Sequence, residues 1–145
     1  MTENDLYVSV RLFIAGDDLL PEVVTKALGM FPDSAWPRGE HGYTINPQGQ
    51  KVLFRDRSER GSWKRRIPDE QRAGSLQEQL HWWLDALEPR IANVQQLVAA
   101  GLDVELNCYI DGEGAVIYLE PEILTSLARL GVRVALEIMP RDADG

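Results

Sequence analysis

The sequence predicts an α+β fold with a mixed, mostly antiparallel sheet that carries helices on one face. Three observations support this prediction. Alternating apolar and polar residues mark strands near both ends of the chain, a short amphipathic helix follows each of these strands, and a long helical pattern lies between them. The length of 145 residues is typical of one domain. We therefore expect a single domain over residues 1–145, with an ordered core at about 7–139 and a frayed tail at 140–145.

The first predicted strand and helix lie within residues 8–29. Apolar residues occupy every second position from Val8 to Ile14, which is the pattern of a strand with one face on a core. Pro21 suits the first turn of the following helix, because the N–H that proline lacks would have no partner there. Gly29 ends this helix.

A second strand–helix unit near the C-terminus repeats this pattern. Residues 104–110 alternate like the first strand, and Gly131 ends the helix that follows them. The sequence therefore predicts duplicated ferredoxin-like strand–helix–strand halves with right-handed crossovers, joined by the long helix. The alternative is that the two units are similar by coincidence, because many helices start with proline followed by glutamate. The shared residues at the two helix starts are Pro21, Glu22 and Thr25, and Pro121, Glu122 and Thr125.

Two further strands are predicted in the C-terminal unit. Residues 111–114 have the composition of a hairpin turn, so 115–119 would be the returning strand. Residues 132–139 alternate again and predict the last strand, before Pro140.

The middle of the chain predicts little regular structure. Three prolines and three glycines between Phe31 and Gly49 indicate a loop, with at most a short strand at 34–38. Residues 51–54 and 62–67 are predicted to be the strands of a basic hairpin.

Residues 75–100 have the strongest helical periodicity. Ser75 and Glu78 have the spacing of a capping box, and Gly101 stops the far end. Pro89 removes one helical hydrogen bond, so we expect a kink or break near residues 85–88. The apolar residues that share one helical face are Leu76, Leu80, Trp83, Leu84, Leu87, Ile91, Val94 and Val98.

The charge distribution argues against binding to nucleic acid or to an anionic membrane, since the formal net charge is −8. Residues 51–72, however, contain eight basic and four acidic residues, which gives this segment a net charge of about +4 and the remainder of the chain about −12. No apolar stretch approaches the roughly 18 residues of a membrane span, and the acidic N-terminus is unlike a signal peptide. We therefore expect a cytoplasmic protein.

Cys108 is the single cysteine, so an internal disulfide is excluded. We expect Cys108 to be a buried small residue.

The sequence contains no familiar catalytic or nucleotide-binding motif, so we expect neither an enzyme nor a cofactor. Glu78, His81 and Asp85 lie on one stripe of the long helix with a spacing that metal sites use. A metal is not predicted there, because such sites need a second motif and Glu78 already serves as a capping residue.

Several short motifs occur together in one order along the chain. They are Leu28–Pro32 at the end of the first helix, Gly39-Glu40, Gly61–Trp63, a leucine-rich helix and a closing Leu130-Gly131. In these features the chain resembles, from Tyr7 to Met139, the bacterial family catalogued as domain of unknown function 4279. The resemblance implies a bacterial cytosolic protein and implies nothing about its activity.

The candidate binding residues collect in the middle segment, where loops display side chains that a scaffold positions. Tryptophan and arginine are enriched at energetic hot spots of interfaces. The alternative is that Trp36 and Trp63 fill the core and that the arginines form ion pairs with the acidic remainder of the protein. Trp82 lies opposite the apolar face of the long helix, where it either packs under the 31–49 loop or is exposed at an interface. The candidates are Trp36, Arg38, Tyr43, Trp63, Lys64, Arg66 and Trp82.

The sequence-based hypothesis for function is a non-enzymatic protein-binding module, of the immunity or antagonist type used in bacterial competition. An acidic surface would accelerate its encounter with a basic partner protein. The alternative is a small-molecule or anion-binding domain, with a pocket between the basic middle hairpin and the sheet that includes Trp36, Arg38, Trp63 and Arg66. A homodimer formed through Trp82 and an edge strand is compatible with either hypothesis.

Overall fold

The computed structural model describes residues 7–112, 114 and 116–139. The predicted α+β fold with a mixed sheet is confirmed, and the predicted tail at 140–145 lies outside the described residues. Along the described chain the elements are β1 (Tyr7–Gly16), α1 (Pro21–Leu28), β2 (Ser34–Trp36), β3 (His41–Ile45), β4 (Lys51–Arg57), β5 (Gly61–Arg66), α2 (Leu76–Leu87), α3 (Ile91–Ala99), β6 (Asp103–Asp111), α4 (Pro121–Leu130) and β7 (Arg133–Met139).

The main sheet has the strand order β2-β5-β1-β6-β7. β1 is antiparallel to both β5 and β6, β2 is antiparallel to β5, and β7 is parallel to β6. The chain therefore forms two units, β1–α1–β2 and β5–α2–α3–β6. Within each unit the two strands are parallel to each other, and one strand of the other unit lies between them in the sheet. This is the split βαβ arrangement of ferredoxin-like folds. α4 and β7 add a fifth strand beside β6.

The local repeat predicted for α1 and α4 is present at both ends of these helices. Each helix has proline in its first turn, and each ends at a left-handed glycine, Gly29 with φ +66° and Gly131 with φ +77°. Glycine suits these positions because it adopts positive φ without a steric penalty. An internal duplication remains a prediction.

The core lies between the sheet and the helices. The alternation predicted for β1 places Val10, Leu12 and Ile14 fully inside, and the apolar stripes of the helices cover them. β5 pairs with β1 only from Arg11 to Gly16, so the backbone at Val8 and Val10 needs another partner on that side. Gln79 of α2 provides it: its side-chain oxygen accepts from the Val10 N–H at 2.9 Å, and its amide nitrogen donates to the Val8 carbonyl at 2.9 Å.

The break predicted in the long helix is confirmed. A 3₁₀ turn at Glu88–Arg90 separates α2 from α3 at Pro89, which cannot donate the next helical hydrogen bond. The capping box is also present, with the Ser75 hydroxyl accepting from the Glu78 N–H and the Glu78 carboxylate accepting from the Ser75 N–H.

The pairing predicted for the basic hairpin is wrong. β4 pairs with β3, a strand inside the predicted 31–49 loop, and β5 instead joins the main sheet. The turn between β3 and β4 explains this choice, because the Asn46 side-chain oxygen accepts from the N–H groups of Gln48 at 3.0 Å and Gln50 at 2.8 Å. A short strand near 34–38 is confirmed as β2.

The returning strand predicted at 115–119 is also wrong over its described part. Residues 116–120 have no regular secondary structure, while Glu113 and Ala115 lie outside the described residues. β7 occupies the edge of β6, pairing from Glu105↔Arg133 to Asp111↔Met139. The 116–120 segment instead meets α2, where the Gln77 side chain donates to the Tyr118 carbonyl.

Candidate functional site

The candidate site lies on the face of the sheet that points away from the helices. Arg11 is directly opposite Arg66 of β5 and Asn107 of β6, and Phe13 is directly opposite Lys64. Residues opposite one another in an antiparallel pair project to the same side of the sheet. Three cationic side chains therefore leave neighbouring strands on one side, where the pairing of β1 with β5 brings them together.

The β3–β4 hairpin covers one end of this face by packing on Trp36. The Trp36 ring lies 5.4 Å from the Tyr43 ring and 5.9 Å from the Phe54 ring, measured between centroids. Gly42 permits the close approach, since a Cβ atom there would lie 2.7 Å from Cζ2 of Trp36. The Tyr43 hydroxyl accepts a hydrogen bond from the Ala35 N–H at 3.1 Å, which ties the hairpin to β2.

A cavity of about 210 Å³ remains between the hairpin and the sheet. In the described part of the chain its sheet side is strongly cationic, with three basic side chains and one carboxylate, that of Asp33. Its hairpin side is aromatic and apolar apart from two hydroxyl groups. The sheet side is lined by Arg11, Asp33, Ser34, Lys64 and Arg66, and the hairpin side by Tyr43, Thr44, Ile45 and Phe54.

Lys64 is the cation most affected by its surroundings. Its ammonium nitrogen lies 5.3 Å from the centre of the Phe13 ring and 5.4 Å from that of Trp36. Burial lowers the pKa of Lys64 below the usual 10.5, and the nearby Arg11 guanidinium lowers this pKa further. Contact with two aromatic rings stabilises a cation, but it does not neutralise the charge. Bringing an anion to Lys64 would relieve the repulsion from Arg11.

Arg66 is the one cavity cation with an acidic partner among the described residues. Its guanidinium Nε lies 3.7 Å from the Asp33 carboxylate, which also accepts from the Arg66 backbone N–H at 2.6 Å. The side chains of this pair are 59% and 45% exposed, so the ion pair is weak. The site as a whole keeps an excess of positive charge.

The structure brings together four of the seven predicted binding residues: Trp36, Tyr43, Lys64 and Arg66. Arg38 lies elsewhere, in a surface cleft beside Arg57 and Arg60.

The two remaining predicted residues lie on the helix side of the sheet. Trp63 is fully buried there, and its indole N–H donates to the Thr25 hydroxyl at 3.1 Å. Trp63 is therefore a core residue, as the alternative interpretation of the two tryptophans predicts. Trp82 is half-buried against the core, with its ring edge-on to Trp83 at 5.0 Å. The sheet thus separates Trp82 from the hairpin cavity.

The residues that sequence reasoning missed come from the open sheet face and from β4. The alternation of β1 leaves Arg11 among its outward positions, and Phe54 belongs to the strand predicted at 51–54, but neither pattern indicates a cavity. A signal for Arg11 exists in the sequence, because it is the cationic position in the outward set Ser9, Arg11 and Phe13 of a central strand. Which strands flank β1 depends on long-range pairing.

Metal ligands, a reactive cysteine and membrane-spanning helices were the other features of interest in the described part of the chain. Within it, no three His, Cys, Asp or Glu residues cluster to hold a metal ion. Burial raises the pKa of the Cys108 thiol to about 12, with a further contribution from Glu105, so the thiolate nucleophile is scarce at neutral pH. No helix among the described residues is long and apolar enough to cross a membrane.

Comparison with known proteins identifies the family. Searches of curated proteins and of solved structures found no significant match. The family model described as Domain of unknown function (DUF4279) matches residues 5–140, which include every described strand and helix and the residues that line the hairpin cavity. The chain therefore belongs to the DUF4279 family.

Proposed function

We propose that this protein is a non-catalytic binding domain whose ligand is a small anion held between the β3–β4 hairpin and the sheet. One observation carries the proposal: Arg11, Lys64 and Arg66 converge on a cavity in which Asp33 is the single carboxylate among the described lining residues. Like charges placed directly opposite one another on paired strands destabilise a sheet. A bound anion would offset the repulsion that the fold imposes.

The form of the cavity supports a small ligand. Its volume of about 210 Å³ lies below the range of roughly 300–1,000 Å³ that is usual for drug-sized molecules. The rings of Tyr43 and Phe54 make part of its wall apolar, and charge-assisted hydrogen bonds strengthen in a less polar environment. The proposal keeps the expectation that the protein acts in a bacterial cytoplasm, which cell fractionation would check.

Calorimetric titration with phosphate, sulfate, acetate and benzoate at constant ionic strength tests the proposal. We expect saturable binding of at least one of these anions. Lys64→Met should weaken it by about tenfold or more, because a hydrogen bond to a charged group contributes about 1.5–3 kcal/mol. Lys26→Met is the matched control, since Lys26 is exposed on α1, on the opposite side of the sheet. Equal loss in both variants, or no saturable binding to the wild type, would contradict the proposal.

A second candidate function, the binding of a protein partner, is favoured by the surface of β4. All seven residues of this strand are exposed, including Val52, Leu53 and Phe54, and its outer edge is unpaired among the described strands. Such an edge can accept an additional strand. Pull-down with the wild type and with Leu53→Lys tests this candidate: a partner that binds the wild type and not the variant supports it, and equal recovery contradicts it.

A further inference from the structure

The open sheet face divides into a charge-paired half and a half with surplus positive charge. On β6 and β7, the Glu105 carboxylate accepts from Nε of Arg133 at 3.0 Å, and Asp103 accepts from Arg60 at 3.0 Å. On the β5 side, Asp33 is the single acidic group among the described residues that line the cavity. The surplus is therefore local to the hairpin cavity and is not a property of the whole face.

Asn107 stands at the boundary between the two halves and orients Arg11. Its side-chain oxygen accepts from Nε of Arg11 at 3.3 Å, while its NH₂ group donates to the Glu137 carboxylate at 3.0 Å. Asn107 is 6% exposed, so its amide is fixed between these partners. Among the described residues, Nε is the Arg11 side-chain atom engaged in a hydrogen bond, which leaves the two terminal nitrogens for the cavity that Arg11 lines.

The charges of the lining residues indicate the charge of the ligand. Arg11, Lys64 and Arg66 contribute three positive charges and Asp33 one negative charge, so the described lining residues carry a net charge of +2. The three cations are also spatially concentrated: Arg11 and Arg66 are directly opposite, and Lys64 is two residues from Arg66 on the same face of β5. A compact dianion matches this arrangement better than a ligand with two separated charges.

We propose that the ligand is a phosphate monoester of a small apolar or aromatic group. A phosphate monoester carries a charge of about −1.5 to −2 at pH 7 and presents three acceptor oxygens from one centre. Its phosphoryl group binds the terminal nitrogens of Arg11 and the ammonium of Lys64, and the organic group packs on Phe54 and Ile45. Asn107 is a positioning residue that acts through Arg11. This inference rests on the proposed function and specifies its ligand class.

The inference is tested by comparing phenyl phosphate with benzoate, glutarate and inorganic phosphate in calorimetric titrations at constant ionic strength. We expect phenyl phosphate to bind about tenfold or more tightly than each of the others, and its affinity to fall below about pH 6, where the dianion becomes protonated. Benzoate or glutarate binding as tightly as phenyl phosphate overturns the inference but leaves the proposed function standing. Failure of every anion to bind overturns both.

A double-mutant cycle tests the role of Asn107 separately from its role in folding. Asn107→Ala should reduce the preference for phenyl phosphate over benzoate, and it should have no further effect on this preference in an Arg11→Gln background. Additive effects of the two substitutions would overturn the positioning role. A phosphotyrosine pentapeptide serves as a final comparison, because tighter binding of the peptide than of phenyl phosphate would overturn the assignment to a small molecule.

Discussion

Replacing Gln79 by methionine should destabilise the protein strongly, although the two side chains have similar size and shape. Gln79 is 1% exposed and supplies two of the hydrogen bonds that β1 lacks beyond the end of β5, while the Trp83 indole donates to the Val10 carbonyl at 3.0 Å. Methionine fills the same space but leaves the buried Val10 N–H and Val8 carbonyl without these partners. It also removes the donor to the Gly74 carbonyl at 2.9 Å, but Gly74 is only partly buried, so water can replace that bond. Val10 is completely buried and Val8 is 5% exposed, so water reaches neither group easily.

The expected loss follows from the number of groups left unpaired. A buried donor or acceptor that loses its partner costs about 1–3 kcal/mol, so two such groups give about 2–6 kcal/mol. This is a large share of the roughly 5–15 kcal/mol that stabilises a typical domain. Urea unfolding followed by tryptophan fluorescence measures the change in the free energy of unfolding.

Gln96→Met is the matched control for this measurement. Gln96 is exposed on α3, and its side chain makes no hydrogen bond to the described residues. Its substitution should change the free energy of unfolding by less than about 0.5 kcal/mol. If Gln79→Met costs no more than Gln96→Met, with an unchanged dependence on urea, the side chain of Gln79 does not complete the pairing of β1.

Three further predictions follow from single residues. Gly42→Ala should displace the β3–β4 hairpin, because the new Cβ would lie 2.7 Å from Trp36. Backbone amide hydrogen exchange should become faster within residues 41–57 alone, and unchanged exchange there refutes the prediction. Lys64→Met should raise the free energy of unfolding at neutral pH, because the folded wild type holds a desolvated charge there. The gain should disappear as the pH rises from the lowered pKa of Lys64 in the folded protein to its usual value of 10.5, and a gain that persists at higher pH contradicts the desolvation of Lys64. Cys108 should not react with a thiol reagent at pH 8 until the protein unfolds, and rapid modification of the native protein would show that its thiol is accessible.

The local elements could be predicted from the sequence because their signals are local. Each signal depends on residues that are close together in the chain. These signals are the alternation in β1 and β6, the proline and glycine at the two ends of α1 and α4, and the capping box of α2. The break at Pro89 follows from the missing N–H of a single residue. The charge of the middle segment was also visible in the composition, and the cavity cations Lys64 and Arg66 belong to that segment.

Strand pairing, and with it the site, was decided by the tertiary structure. β4 has apolar and basic residues that suit either neighbour, and the Asn46 turn together with the burial of Trp63 assigned it to β3 and left β5 to the main sheet. That choice put Arg66 opposite Arg11. A strand's own sequence specifies its two faces, but partners distant in the chain determine which side chains share a face. Local signals in the sequence therefore predict most of the helices and strands and the basic segment. β3 and the cationic cavity depend on long-range pairing, which places β1, β5 and the hairpin together.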